Sequence, residues 1–242
     1  MTLNEYLDMH RQRAEDQLVE FLRIPSVSTD PACAADVRHC ADWLADHLRS
    51  IGVPHVEVVP TAGHPIVYAE DLRAGADAPT VLFYGHYDVQ PVDPIDLWTQ
   101  PPFEPVIRDG KVFARGATDD KGQVFLHIKA IEAEYAVNGA LPINVKLLIE
   151  GEEEIGSPNL APFVKANTEK LSCDAVLVSD TPMFAPGVPS IVYGLRGLAY
   201  LQVDIEGPNR DLHSGSYGGA VNNPLNALAH IIAKLKDEDG RI

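Results

Sequence analysis

The chain has 242 residues, 45% of them hydrophobic, enough to bury a sizeable core in one large or two small domains. Its 35 acidic residues against 19 basic ones give a formal net charge of −16, which opposes binding to nucleic acid or to an anionic membrane surface. The N-terminal MTLNEYLDMHRQRAEDQ has no apolar core of the kind a secretion signal needs, and no uncharged run approaches the roughly twenty residues of a membrane span, so a cytoplasmic location is expected.

In chain order, Leu3, Tyr6, Leu7, Ala14, Leu18, Phe21 and Leu22 recur at helical spacing and predict one helix, which Pro25 stops before the loop IPSVSTDP. A second helix is expected over 34–51, ending near Gly52. Cys33 and Cys40 lie seven apart near its start and Cys173 stands alone, indicating neither a disulfide framework nor a CxxC metal knuckle. Strand-like runs follow at 55–59, 65–69 and 80–85. Residues 90–118, rich in Pro and Gly, read as a long functional loop interrupted by the hairpin EPVIRDGKVFA, with Asp109-Gly110 as its two-residue turn. Val124, Phe125, Ile128, Ile131 and Tyr135 mark a helix, INVKLLIE (143–150) a continuous apolar strand, 158–169 a helix, and DAVLVSD (174–180) a further strand. Strands apolar on both faces and separated by helices predict an α/β fold, a mainly parallel sheet flanked by helices. After about residue 190 the character changes. GLAYLQVDIEG alternates like a half-exposed strand, and Asn223-Pro224 opens an amphipathic helix through Leu225, Leu228, Ile232 and Leu235.

In open parallel sheets a ligand site lies beyond the carboxyl ends of the strands. Here TVLFYG is followed by His86 and Asp88, KLLIEG by Glu152, Glu153 and Glu154, and AVLVS by Asp180, while RGATDDKG adds Asp119 and Asp120. Taken singly, each has a plain explanation: a hydrogen-bonded strand-end histidine, a solvated acidic loop, a helix N-cap. Together they suit a metal, because clustered carboxylates repel one another unless cations neutralise them. One histidine with several carboxylates fits Zn²⁺ or Mn²⁺.

GHYDVQP, ARGATDDKGQ, IEGEEEIGS, LVSD, and YGLRG with DLHSGSYGG resemble, in order over residues 80–222, the successive motifs of the carnosinase-like dipeptidases. These belong to the dinuclear zinc metallopeptidase family that includes acetylornithine deacetylase, succinyl-diaminopimelate desuccinylase, aminoacylases and glutamate carboxypeptidase. The resemblance implies a zinc exopeptidase-like catalytic domain over 1–190 and the first part of a smaller α+β lid and dimerisation domain over 191–242. It implies two Zn²⁺ ions, with Mn²⁺ or Co²⁺ as substitutes. His86 and Asp180 would bind the first, Glu154 the second, and Asp119 would bridge them. Asp88 would orient the His86 ring, and Glu153 would be the general base, passing a proton from water to the leaving amine. His213 would stabilise the oxyanion, in dimeric relatives from the neighbouring subunit, and Arg196 would support the same region.

Relatives in this family continue for a comparable length beyond DEDGRI and carry a last metal-binding histidine there. None of the other histidines of this chain sits in a motif resembling that ligand, so the chain is expected to be a truncated portion or to do something simpler than its relatives. The function expected is hydrolysis of dipeptides or short peptides, favoured by the Asp119-Asp120 pair and DLHSGSYGG, with a homodimer formed through the lid domain. The alternatives are an N-acyl-amino-acid deacylase on the same scaffold and a non-catalytic metal-binding or interaction module.

Overall fold

In the computed structural model, which describes residues 1–242, the N-terminal apolar periodicity builds two helices where one was expected. α1 (Leu3–Met9) and α2 (Arg11–Arg23) meet at His10. Its backbone N–H donates to the Tyr6 carbonyl and its Nδ1 lies 2.8 Å from the same oxygen, so the ring competes for the last turn of α1 and the chain breaks there. Thr2 and Glu5 form a reciprocal capping box at the start of α1. A 3₁₀ turn over Pro31–Cys33, capped by Asp30, leads into α3 (Ala34–Ser50).

The strands are β1 (His55–Val59), β2 (Ile66–Asp71), β3 (Thr80–His86), β4 (Val106–Arg108), β5 (Lys111–Phe113), β6 (Asn144–Glu150) and β7 (Ala175–Val178), with α4 (Lys121–Asn138) and α5 (Leu160–Ala166) between them. Five form one sheet in the order β1-β2-β6-β3-β7. β6, β3 and β7 are parallel neighbours, whereas β2 runs antiparallel to both β1 and β6. Four strands therefore share one direction and β2 is reversed, giving a mixed sheet. The helix-free connections at 60–65 and 72–79 turn the chain back, while α4 and α5 provide the crossovers that parallel strands require. The hairpin β4–β5 turns at Asp109 and Gly110, both at positive φ.

Alternate residues of the central strands enter two cores. Val67, Ala69, Leu147 and Ile149 pack with Phe21, Leu44, Leu48 and Ile128 of α2, α3 and α4. Ile66, Tyr68, Leu82 and Leu148 face the other way, onto Phe163 of α5 and Leu171. Every residue of β6 is buried, which explains its unbroken apolar run. No helix is long and apolar enough to cross a membrane.

Two compact units divide the chain, Met1–Ser190 and Ile191–Ile242. The second holds α6 (Ser214–Tyr217) and α7 (Pro224–Lys234), the latter opened as expected by Asn223, whose side chain accepts the Leu225 N–H, and by Pro224 in its first turn. GLAYLQVDIEG forms no strand, contrary to expectation. Its alternation assigns side chains to two faces, but a ladder also needs a paired neighbour, and this chain places none beside it.

Between the helices lies a buried polar network. Lys129 Nζ donates to Gln17 Oε1, His47 Nε2 and Glu132 Oε2, and Glu132 also accepts from Tyr6 and Arg13. His47 stacks on Trp43 and lies against Phe125. Burial first, then the Lys129 charge, lowers its pKa from 6.5 to about 4, with Glu132 opposing and Arg13 adding to the shift. A folded-state pKa below the unfolded one favours the fold above pH 6.5, and that contribution is lost as pH falls towards 4. The shift corresponds to about 3 kcal/mol at most. Urea unfolding at pH 7.5 and 4.5 should show a smaller acid loss for His47→Gln than for the natural chain; equal losses would remove His47 as the cause.

Candidate metal centre

Three adjacent parallel strands, β6, β3 and β7, end on the same side of the sheet and deliver Glu150–Glu154, His86–Asp88 and Asp180 to one place. The turn entering α4 brings Asp119 and Asp120 to the same edge. His86, the last residue of β3, is fully buried. Its Nε2 lies 3.0 Å from Asp119 Oδ1, 3.7 Å from Asp180 Oδ2 and 4.0 Å from Glu153 Oε2. Ligand atoms of His86, Asp119 and Asp180 all fall within 4.8 Å of one another.

The opposite edge of the imidazole is fixed by Asp88. His86 Nδ1 lies 3.1 Å from the Asp88 carbonyl oxygen and 3.3 Å from its carboxylate. That carboxylate also accepts the backbone N–H groups of Glu153 and Glu154, at 3.2 and 3.1 Å. Asp88 therefore orients the ring and pins the acidic turn, capping the 3₁₀ segment Glu153–Ile155 from outside. Glu154 Oε2 accepts from Gln90 Nε2 at 2.7 Å and is not a member of the three-residue group. His213 belongs to the second unit, where it is exposed and its Nδ1 accepts the Gly215 N–H at the start of α6. Arg196 is an exposed residue of that unit.

The electrostatics favour a cation. Burial alone would lower the His86 pKa, but the hydrogen bond and charge of Asp88, joined by Asp120 and Glu153, outweigh it and raise the value to about 10. Burial raises the pKa of Glu153 and Asp180, and neighbouring carboxylates add to both shifts. Buried His86 Nε2 has no hydrogen-bond partner, although it faces oxygen donors from three carboxylates. An imidazole held from behind, with Nε2 turned to carboxylate oxygens, fits a divalent metal ion that would take the place of the Nε2 proton.

The structure gives three of these acids contacts that the sequence did not show. Asp120 caps no helix with its side chain. Its Oδ2 accepts the His86 N–H at 3.2 Å, and burial pushes its carboxyl up to about 7. The approach requires Gly85, where a Cβ would stand 2.6 Å from that oxygen. Glu152 is not aimed at the cluster; it accepts from the His64 N–H and the Asn159 amide, tying the β1–β2 connection to α5. Glu150 is buried and accepts from Tyr84 and Ser157. Adjacent acids in one motif thus divide into structural and site-facing groups, a division set by the turn after β6 and invisible in the string EGEEE.

Residues 82–238 match the model of peptidase family M20/M25/M40. The chain is 35% identical to a Cys-Gly metallodipeptidase of Schizosaccharomyces pombe, covering 99% of this chain and 53% of that protein. It is 34% identical to the Beta-Ala-His dipeptidase of Mus musculus, covering 99% and 51%. Among solved structures, an M20 family metallo-carboxypeptidase of Sulfolobus solfataricus superposes with a TM-score of 0.77 at 39% identity, over 95% of this chain and 51% of that one. The chain spans about half the length of the relatives it matches.

Proposed function

Because the chain belongs to peptidase family M20/M25/M40, we propose that its first unit carries the water-activating half of a dinuclear zinc dipeptidase site. The observation that carries this reading is the buried His86 Nε2, without a hydrogen-bond partner and facing Asp119, Asp180 and Glu153. In this proposal His86, Asp119 and Asp180 hold one Zn²⁺, and Asp119 with Glu154 contributes to a second. Bound zinc supplies Lewis acidity, polarising a carbonyl and lowering the pKa of water.

The remaining chemistry falls to side chains of the chain. The Glu153 carboxylate accepts no hydrogen bond and lies 4.0 Å from His86 Nε2; burial, Asp180, Asp88 and Asp119 raise its pKa against the opposing charge of His86. These are the properties of a general base. It takes a proton from water as the oxygen attacks the peptide carbonyl, then returns that proton to the amine as the C–N bond breaks. Asp88 acts on both partners in this step, since it orients His86 and fixes the backbone of Glu153. Asp119 is 61% exposed while the His86 ring is fully buried, so the carboxylate side is open to substrate. His213 is proposed as the oxyanion-stabilising group, supplied across a homodimer built on the second unit.

The similarity to Cys-Gly and Beta-Ala-His dipeptidases favours short peptides with a free amino terminus. A panel of Cys-Gly, β-Ala-His, N-acetyl amino acids and N-blocked dipeptides, offered to the protein as its gene encodes it, tests this. Cleavage is expected of the free dipeptides. Deacylation without dipeptide cleavage would transfer the assignment to an N-acyl-amino-acid deacylase.

A further inference from the structure

The loop after α2 packs against both backbone segments that deliver the cluster. Ser26 is fully buried, and its Oγ donates to the Tyr87 carbonyl at 2.6 Å. Its own carbonyl accepts the Val89 N–H at 3.0 Å, and Val27 bridges to Val89 in parallel register. Ser26 therefore grips the extension of β3 at the residue between His86 and Asp88, and again just beyond Asp88.

From the other side comes Lys121, two residues after Asp119. Its side chain is fully buried, and its Nζ donates to the carbonyls of Ile24 at 2.7 Å and Phe21 at 3.1 Å. The Phe21 carbonyl lacks an i+4 donor because Pro25 has no N–H, and that of the C-cap Ile24 also accepts the Ser26 N–H at 2.9 Å. Gly116, at positive φ, lets the turn pass between Val89 and the Lys121 stem; a Cβ there would lie 2.9 Å from the first and 3.3 Å from the second. Burying a lysine amine is costly, and an apolar side chain would fill the same space. What the amine adds is direction: it ties the Asp119 segment to the same short stretch, 21–27, that holds the His86 segment.

We propose that residues 21–27 form a bracket that sets the separation of His86 and Asp119, and that Ser26 and Lys121 are positioning residues for cation binding. The inference rests on the metal reading of the His86 cluster. Neither residue is within that cluster, so each acts through the backbone of its neighbours, as partners behind metal ligands do.

Zinc affinity of the 242-residue chain, measured by competition with a chromophoric chelator, tests the bracket alongside thermal unfolding of the metal-free forms. Ser26→Ala and Lys121→Met are each expected to weaken zinc binding about 10- to 100-fold. The double variant should lose less than the product of the two, because both changes release one bracket. Tyr135→Phe, which removes the distant hydrogen bond to Asp71, serves as a control for general destabilisation and should bind zinc as the natural chain does. If Lys121→Met does not fold, Ser26→Ala decides alone. Affinity within twofold of the natural chain in Ser26→Ala, or an equal loss in Tyr135→Phe, overturns the bracket. A natural chain that binds no zinc overturns the metal centre itself, and the bracket with it.

Discussion

Glu153→Gln should lower dipeptide turnover by about 10²- to 10⁴-fold, the range a positioned general base contributes, while leaving zinc content unchanged. The substitution keeps the size of the side chain and its place on the turn, because the Glu153 N–H that bonds Asp88 belongs to the backbone. It removes only the ability to accept a proton. His86, Asp119 and Asp180 are untouched, so the atoms grouped within 4.8 Å remain. In kinetic terms kcat should fall with KM nearly constant, as expected when an interaction matters in the transition state and little in the ground state. Turnover and zinc stoichiometry, measured on the same preparation of the protein as its gene encodes it, decide the matter. Retained turnover would exclude Glu153 as the base; lost zinc would make it a ligand.

The contrast between Glu153 and its neighbours marks what the sequence could and could not reveal. His86, Asp119 and Asp180 were legible because each stands at the end of an apolar strand-like run or at the opening of a helix, and parallel strands bring such ends to one edge. The two-residue spacing of His86 and Asp88 was legible for a similar reason, since alternate residues of an extended segment share a face. What Asp88 does with its second contact was not. Its hold on Glu153 and Glu154 depends on the turn after β6 lying beside the extension of β3, and that is a fact of register, Gly85 opposite Ile149 and His86 opposite Glu150. Ser26 and Lys121 escaped for the same reason. A serine in a loop and a lysine opening a helix carry no signal until the fold places carbonyl oxygens against them. Local competition was equally hidden: the periodicity through Leu3 and Leu22 is helical throughout, yet His10 divides it by turning its ring to Tyr6. GLAYLQVDIEG shows the converse, a pattern suited to a strand with no partner in this chain to pair with.

Zinc titration of the 242-residue chain is expected to give one tight binding event and one much weaker. On the proposed assignment the tight event would belong to His86, Asp119 and Asp180, which offer three protein ligands with the imidazole already held by Asp88. Three ligands with an open fourth position are sufficient for a zinc site. For the second ion this chain offers Glu154 and a share of Asp119. Glu154 Oε2 is meanwhile engaged by Gln90 at 2.7 Å, which leaves Oε1 to offer a second ion its single unshared ligand. Asp119→Ala should therefore abolish the weak event and loosen the tight one by about 100-fold or more, exceeding the range for losing a partner behind a ligand because a ligand itself is lost. Glu154→Ala should remove the weak event alone. Calorimetry of the three forms at one pH and salt concentration separates these outcomes. Undiminished tight binding in Asp119→Ala would take Asp119 out of the centre. Two equally tight ions in the natural chain would require a donor for the second ion beyond Asp119 and Glu154, such as one supplied by a second copy.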